Sequence, residues 1–163
     1  MVKDKQKTCC FTGHRLIPHG ERALVRARLV HAVSDLYRAG YRHFVAGGAL
    51  GFDAMAAEVV LSFRRHYPDM TLTLVLPCAD QAARWKSEEK AVYEAQKQAA
   101  DEVICLTERY YDGCMQKRNL AMVDMSSACI AYLSHPYSGA GQTVRMAERA
   151  GLRVINTHAQ KDT

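Results

Sequence analysis

The chain has 163 residues, 48% of them hydrophobic and 24% charged, with a net charge of +5. That composition describes one soluble globular domain with enough chain for a real core, and the lack of any apolar run of about 18 residues excludes a transmembrane helix. The mild positive balance admits an anionic small molecule or a nucleic acid without demanding either. The start, Met1 to Lys7, is charged and leads straight into a strand, without the apolar stretch of a signal peptide. Six cysteines are present, none in a CxxC pair, so zinc is not expected. They read as reduced thiols of a cytoplasmic protein: Cys9, Cys105 and Cys129 as small buried hydrophobes in strands, Cys78 and Cys114 near loop edges, where a reactive thiol is the alternative reading.

Lys7–Thr12 reads as the first strand, followed by Gly13-His14-Arg15 and a loop through Pro18 and Gly20. From Glu21 to Ala39 apolar positions recur at Leu24, Ala27, Val30, Ser34 and Tyr37, a helical period that Gly40 terminates. Tyr41–Val45 is a second strand. The turn Gly47-Gly48-Ala49-Leu50-Gly51-Phe52-Asp53 then opens a helix reaching about Tyr67. Met70–Leu76, nearly continuous in apolar and β-branched residues, is a strand covered on both faces, and Pro77 ends it. Residues 81–100 read as helical, in one piece or two. Glu102–Leu106 is a fourth strand, 115–124 a helix and Ala128–Leu133 a fifth strand. The turn at Ser138, Gly139 and Gly141 leads into a helix from about Gln142 to Ala150, and Leu152–Asn156 is a last strand. Residues 1–6 and 158–163 are expected to fray. The alternation predicts an α/β, Rossmann-like three-layer fold over residues 1–163, with a mostly parallel sheet and helices on both faces.

In such a sheet the segments after each strand share one carboxyl edge, where ligands bind. Thr12, Gly13, His14 and Arg15 follow the first strand, and Gly47, Gly48, Gly51 and Asp53 the second. Pro77 and Cys78 follow the third, Tyr110 and Tyr111 come shortly after the fourth, and Ser138, Gly139, Gly141 and Thr143 follow the fifth. Glycine turns before helices offer free N–H groups and the positive end of a helix dipole, which suits a phosphate. Arg15 supplies charge or is a solvated surface arginine. Trp85, the only tryptophan, is a core anchor or a wall on which a base stacks. Arg118 and Asn119 bind phosphate or form a polar helix face. Asp53 caps its helix, holds a ribose hydroxyl or activates water. Glu58 is a second acid, but five residues along a helix does not set it squarely on the same face. The histidines show no metal-ligand spacing, so no metal site is expected.

These residues have a family likeness. Phe11-Thr12-Gly13-His14-Arg15 and Gly47-Gly48-Ala49-Leu50-Gly51-Phe52-Asp53 resemble the opening half of the YpsA-like branch of the SLOG superfamily, which groups the DprA-type DNA-processing proteins with the Lonely Guy (LOG) phosphoribohydrolases. The likeness continues through Ala83-Arg84-Trp85-Lys86, Tyr93, Ala100-Asp101, Tyr110, Arg118-Asn119-Leu120-Ala121-Met122-Val123-Asp124 and the late glycine turn. The resemblance implies a Rossmann-like fold, a homodimer, and a nucleotide or ADP-ribose-like ligand. Thr12, Gly13 and Arg15 then fall on the first loop, Gly51 and Asp53 on the ligand turn, and Gly139, Gly141 and Thr143 on a second phosphate turn. LOG enzymes carry a PGGxGTxxE pattern. Here the late turn continues Gln142-Thr143-Val144-Arg145-Met146 with no acid at the matching position, and Glu148 comes a turn later.

The leading expectation is a cytoplasmic sensor or regulatory protein that binds a nucleotide derivative, with no membrane association. The alternative is a nucleotide N-glycosidase in which Asp53 or Glu58 stabilises a developing cation or activates water. Nucleic-acid binding ranks below both, because no dense basic patch with interleaved aromatics stands out.

Overall fold

The computed structural model describes residues 4–158. Its six strands are β1 (Thr8–Gly13), β2 (His43–Ala46), β3 (Thr71–Leu76), β4 (Glu102–Cys105), β5 (Ala128–Tyr132) and β6 (Arg153–Asn156). Between them lie α1 (Arg22–Arg38), α2 (Phe52–Arg64), α3 (Ser87–Ala99), α4 (Cys114–Asp124) and α5 (Gly139–Arg149). The strands form one sheet in the order β4-β3-β2-β1-β5-β6, and every neighbouring pair is parallel. The expected Rossmann-like α/β architecture is therefore the observed one.

Side chains alternate between two cores along each central strand, as the pleat requires. Cys9, Phe11, Phe44, Ala46, Leu72, Leu74, Ala128 and Ile130 face the layer of α1 and α2. Cys10, Val45, Val75 and Cys129 face the other layer, where Met122 and Val123 of α4 and Ala147 of α5 meet them. Both faces are covered, which is why the strands read as unbroken apolar runs rather than alternating ones.

Several boundaries and one face differ from the sequence reading. In α1 the buried stripe is Val25, Leu29, Ala32, Val33 and Leu36, whereas Leu24 and Val30 are 46% and 37% exposed. Two apolar series share this helix one residue out of phase, and the one with the heavier aliphatic content faces the sheet. Residues 81–86 form turns, and α3 starts only at Ser87, where Glu89 Oε1 accepts from the Lys86 N–H at 2.9 Å. That is half of a capping box. Helix α5 starts at Gly139, because Ser138 Oγ accepts from the Gly141 N–H at 3.0 Å and caps the helix there. Cys105, expected inside, is exposed on the edge strand β4; Cys9 and Cys129 are buried as expected. At the start, residues 5–7 form a short 3-10 turn capped by Asp4 rather than a frayed end. His158 is described too, with its N–H bonded to Asn156 Oδ1. The remaining positions expected to fray, 1–3 and 159–163, lie outside the described residues. Among the described residues no helix is long and apolar enough to cross a membrane.

The α1 assignment has a direct check. Leu29→Ala is expected to destabilise the fold by about 2–5 kcal/mol, as loss of a fully buried leucine does, and Leu24→Ala by no more than about 0.5 kcal/mol. Urea denaturation of the two variants compares them, and equal losses would reject the buried stripe described here.

Candidate functional site

From β1 the chain steps outward through β2, β3 and β4 on one side, then returns to place β5 and β6 on the other. The loops after β1 and β5 therefore diverge, and a crevice opens between them at the carboxyl edge, the place where open α/β sheets hold ligands. A cavity of about 840 Å³ occupies that crevice. Its walls come from the end of β1 and the loop after it (Thr12 to Pro18), Asp53, Arg118 and Asn119 of α4, Tyr132 at the end of β5, and Ser138 and Gly139 at the start of α5.

Asp53, in the first turn of α2, is 6% exposed. The N–H groups of Ala49 and Gly47 donate to its carboxylate. The glycine turn thus already holds an anion, and that anion is its own aspartate. Two of the N–H groups that make such a turn suit phosphate are engaged from within. Burial pushes the Asp53 carboxyl up from its ordinary 3.8 to about 6, while Arg118, those N–H groups and Arg15 hold it down. Arg118 is 5% exposed and is not part of a solvated helix face. Its Nη1 donates to the Gly47 carbonyl and its Nε donates to Asn119 Oδ1 at 2.8 Å. Burial pulls its pKa down and the charge of Asp53 opposes this. A Cβ on Gly47 would lie 2.6 Å from Arg118 Nη1 and 2.8 Å from Asp53 Oδ2, so glycine is what lets the acid and the arginine converge on one backbone position.

The opposite wall is built from rings. His14 stacks on His135 with centroids 4.3 Å apart and planes 5° from parallel, and its edge meets Tyr132. His14 Nε2 accepts from the Ser134 N–H at 3.0 Å, so the proton of the neutral ring is on Nδ1. Burial lowers the His14 pKa, and His135 and His158 add to that, which favours the neutral form. Tyr132 donates to Glu21 Oε2 at 2.6 Å, and burial, followed by that carboxylate, raises it to about 12. Arg15 is exposed, and its guanidinium makes no hydrogen bond or ion pair among the described residues.

The residues singled out from sequence separate into three groups. Thr12, Gly13, Arg15, Asp53, Arg118, Asn119, Ser138 and Gly139 line the crevice. Gly48, Gly51, Glu58 and Trp85 line a second cavity of about 650 Å³, across the Arg15–Leu16 rim that both cavities share. Gly47, Pro77, Gly141 and Thr143 line neither. Gly141 is instead pressed against the Pro136 carbonyl, and Thr143 is fully buried with its hydroxyl on the Gly139 carbonyl. Asp53 and Glu58 open onto different cavities, and Glu58 pairs with Arg26 at 3.4 Å, so the two acids do not form a catalytic pair. Glu148 lies in the last turn of α5, away from the crevice at that helix's other end. Cys78 is buried and its thiol is pushed up to about 12, first by burial and then by Asp80, so it stays protonated rather than becoming a nucleophile. Cys114 is buried as well. Sequence reasoning missed Tyr132, Glu21 and His135 as wall residues. The signal for Tyr132 was its place as the last residue of β5, directly opposite Gly13 in the register.

A family model described as the YspA SLOG family matches residues 18–150. A UPF0398 protein of Bacillus thuringiensis (strain Al Hakam) is 28% identical over 137 residues, which is 83% of this chain and 72% of that protein. A UPF0398 protein of Bacillus cereus (strain ATCC 14579) is 28% identical over 141 residues, 85% of this chain and 74% of that one. Among solved structures, DNA processing protein A from Helicobacter pylori, described for its unique single-stranded DNA binding mode, aligns with a TM-score of 0.66 at 18% identity over 93% of this chain. DNA processing protein A from Streptococcus pneumoniae aligns with a TM-score of 0.65 at 16% identity, again over 93% of this chain. The chain spans 65% and 50% of the length of those two chains, and at these identities the likeness is one of fold.

The Asp53 environment sets a pH dependence. The native carboxyl holds its proton up to about pH 6, whereas the unfolded one releases it near 3.8. The native state therefore binds more protons between those values, and stability falls as pH rises through that window, by roughly 3 kcal/mol in all. Carbon-13 NMR of the Asp53 carboxyl is expected to give a midpoint near 6, and Asp53→Asn to flatten the stability change across the window. A midpoint near 4 would contradict this account.

Proposed function

The chain belongs to the YspA SLOG family, and on that premise we propose that it binds a nucleotide or a nucleotide-derived small molecule, ADP-ribose-like in its chemistry, in the crevice between β1 and β5. One observation carries the reading: the cavity of about 840 Å³ at the topological switch point combines Arg15, whose guanidinium makes no hydrogen bond or ion pair among the described residues, with the capped N-terminus of α5 at Ser138 and Gly139. Phosphate belongs at that end, because two N–H groups of the glycine turn, those of Gly47 and Ala49, are turned to Asp53. The buried charges of Asp53 and Arg118, each in the other's field, and the ring wall of His14 and His135 suit the sugar and base. In the proposed role the protein is a cytoplasmic sensor or regulatory component and, as the family resemblance implies, a homodimer.

Two other readings have an observation each. A carboxyl titrating near 6 is poised for acid–base work at neutral pH, which favours an N-glycosidase using Asp53 alone. Its test is release of free base from candidate nucleotides, lost in Asp53→Asn. The shared fold with DNA processing protein A favours single-stranded nucleic acid on the same edge, where Leu16 and Tyr137 are strongly exposed. That observation weighs against the sequence-based ranking of nucleic acid as an improbable partner.

Titration calorimetry with ADP-ribose, NAD, AMP and cyclic nucleotides tests the leading reading. Arg15→Ala is expected to weaken the best of them by about tenfold or more, the size of a charge-assisted contact to phosphate, with stability changed by less than about 0.5 kcal/mol. No heat from any of them on folded protein would overturn it. Tight single-stranded DNA binding that weakens steeply between about 50 and 200 mM salt would put nucleic acid in its place.

A further inference from the structure

The second cavity has no part in the account above. It lies on the far side of the Arg15–Leu16 rim and is bounded by the glycine turn, α2 and α3. Its chemistry differs from that of the crevice. Trp85 and Tyr93 form an edge-to-face corner with centroids 5.1 Å apart. Leu50, Ala54, Met55 and Val92 add apolar surface. Its charged groups, Arg15 and Arg22 against Glu58 and Glu89, balance in sign. Such a cavity gives no net attraction to phosphate. It offers an aromatic face for a base and carboxylates that accept from hydroxyls, which is how an uncharged nucleoside is recognised.

We propose that the two cavities are halves of one site, and that the ligand is a dinucleotide: two nucleoside ends joined by a pyrophosphate or longer phosphate bridge. One end sits in the crevice between β1 and β5, the bridge crosses the rim at the free Arg15 guanidinium, and the other base lies against Trp85. The geometry carries this in three ways. Arg15, Leu16 and Ala49 line both cavities, so the halves are contiguous. Arg15, whose guanidinium makes no hydrogen bond or ion pair among the described residues, lies on the boundary that both cavities share, where a bridging phosphate would need a cation. The rim is also held in place: the Phe52 N–H donates to the His14 carbonyl at 3.2 Å, and a Cβ on Gly51 would come within 2.1 Å of the Arg15 carbonyl. The inference rests on the nucleotide reading and narrows its ligand class.

Because Trp85 is the only tryptophan, its fluorescence reports on the second cavity alone. The experiment pairs calorimetry with Trp85 emission for AMP, NAD and diadenosine tetraphosphate. AMP is expected to bind without changing the emission. At least one of the two dinucleotides is expected to bind at least tenfold more tightly and to change the emission, the gain being the share that stacking of a second base supplies. W85A is expected to bring the dinucleotide's affinity down to that of AMP. If W85A does not fold, the wild-type emission still decides. Equal affinities with a silent Trp85 would overturn the two-part site and leave the nucleotide reading standing. An emission change as large with AMP as with the dinucleotides would also overturn it, by placing a single nucleotide in the aromatic cavity. No heat with any of the three would remove the nucleotide reading and this inference together.

Discussion

The carboxyl edge of this protein is organised by a buried acid. Asp53 enters from α2 on one side of the sheet and gathers the Gly47 and Ala49 N–H groups of the turn between β2 and α2. Arg118 enters from α4 on the other side and takes that turn's Gly47 carbonyl. One glycine is therefore held at its nitrogen by one helical layer and at its oxygen by the other. An isolated buried charge of either sign is costly. Here each charge lies in the other's field, and both are anchored to main-chain dipoles. The result is a turn with a fixed shape in which the usual occupant of a glycine-rich anion site is supplied by the chain itself.

That substitution changes what the edge can recognise. A glycine turn with open N–H groups favours phosphate. A turn that has internalised a carboxylate presents its neighbours instead: an exposed arginine, a capped helix start and stacked rings. The proton of Asp53 then becomes part of the site's electrostatics, because its loss near pH 6 alters the field felt by anything bound beside Arg118.

The sheet and the edge were legible from sequence because they depend on long-range pattern. Apolar runs covered on both faces, alternating with helical periods, leave few topologies open, and a parallel topology forces the segments after the strands together. What could not be read was which way individual side chains turn. Leu24 and Leu29 are equally apolar, and only the packing of α1 chooses between them. Arg118 and Asn119 read as a polar helix surface, and burial of the arginine follows from a glycine 71 positions earlier in the chain. Cys105 looked like a core thiol because β4 is apolar in sequence, but β4 is the sheet's edge. Gly141 and Thr143 read as ligand groups because glycine and threonine at a helix start suit phosphate, whereas Gly141 is pressed against the Pro136 carbonyl and the Thr143 hydroxyl is bonded to the Gly139 carbonyl within α5.

The close approach of Gly51 to the Arg15 carbonyl bears on how the protein responds once occupied. The first two loops share a wall with no slack, so the wall enters binding already ordered and loses little conformational entropy there. The loop after β5 is held as closely where a Cβ on Gly141 would lie 1.9 Å from the Pro136 carbonyl, while its Tyr137 stands 92% exposed, and it leads directly into α5. Helix α5 then runs from that loop to Arg149 at its far end, away from the crevice.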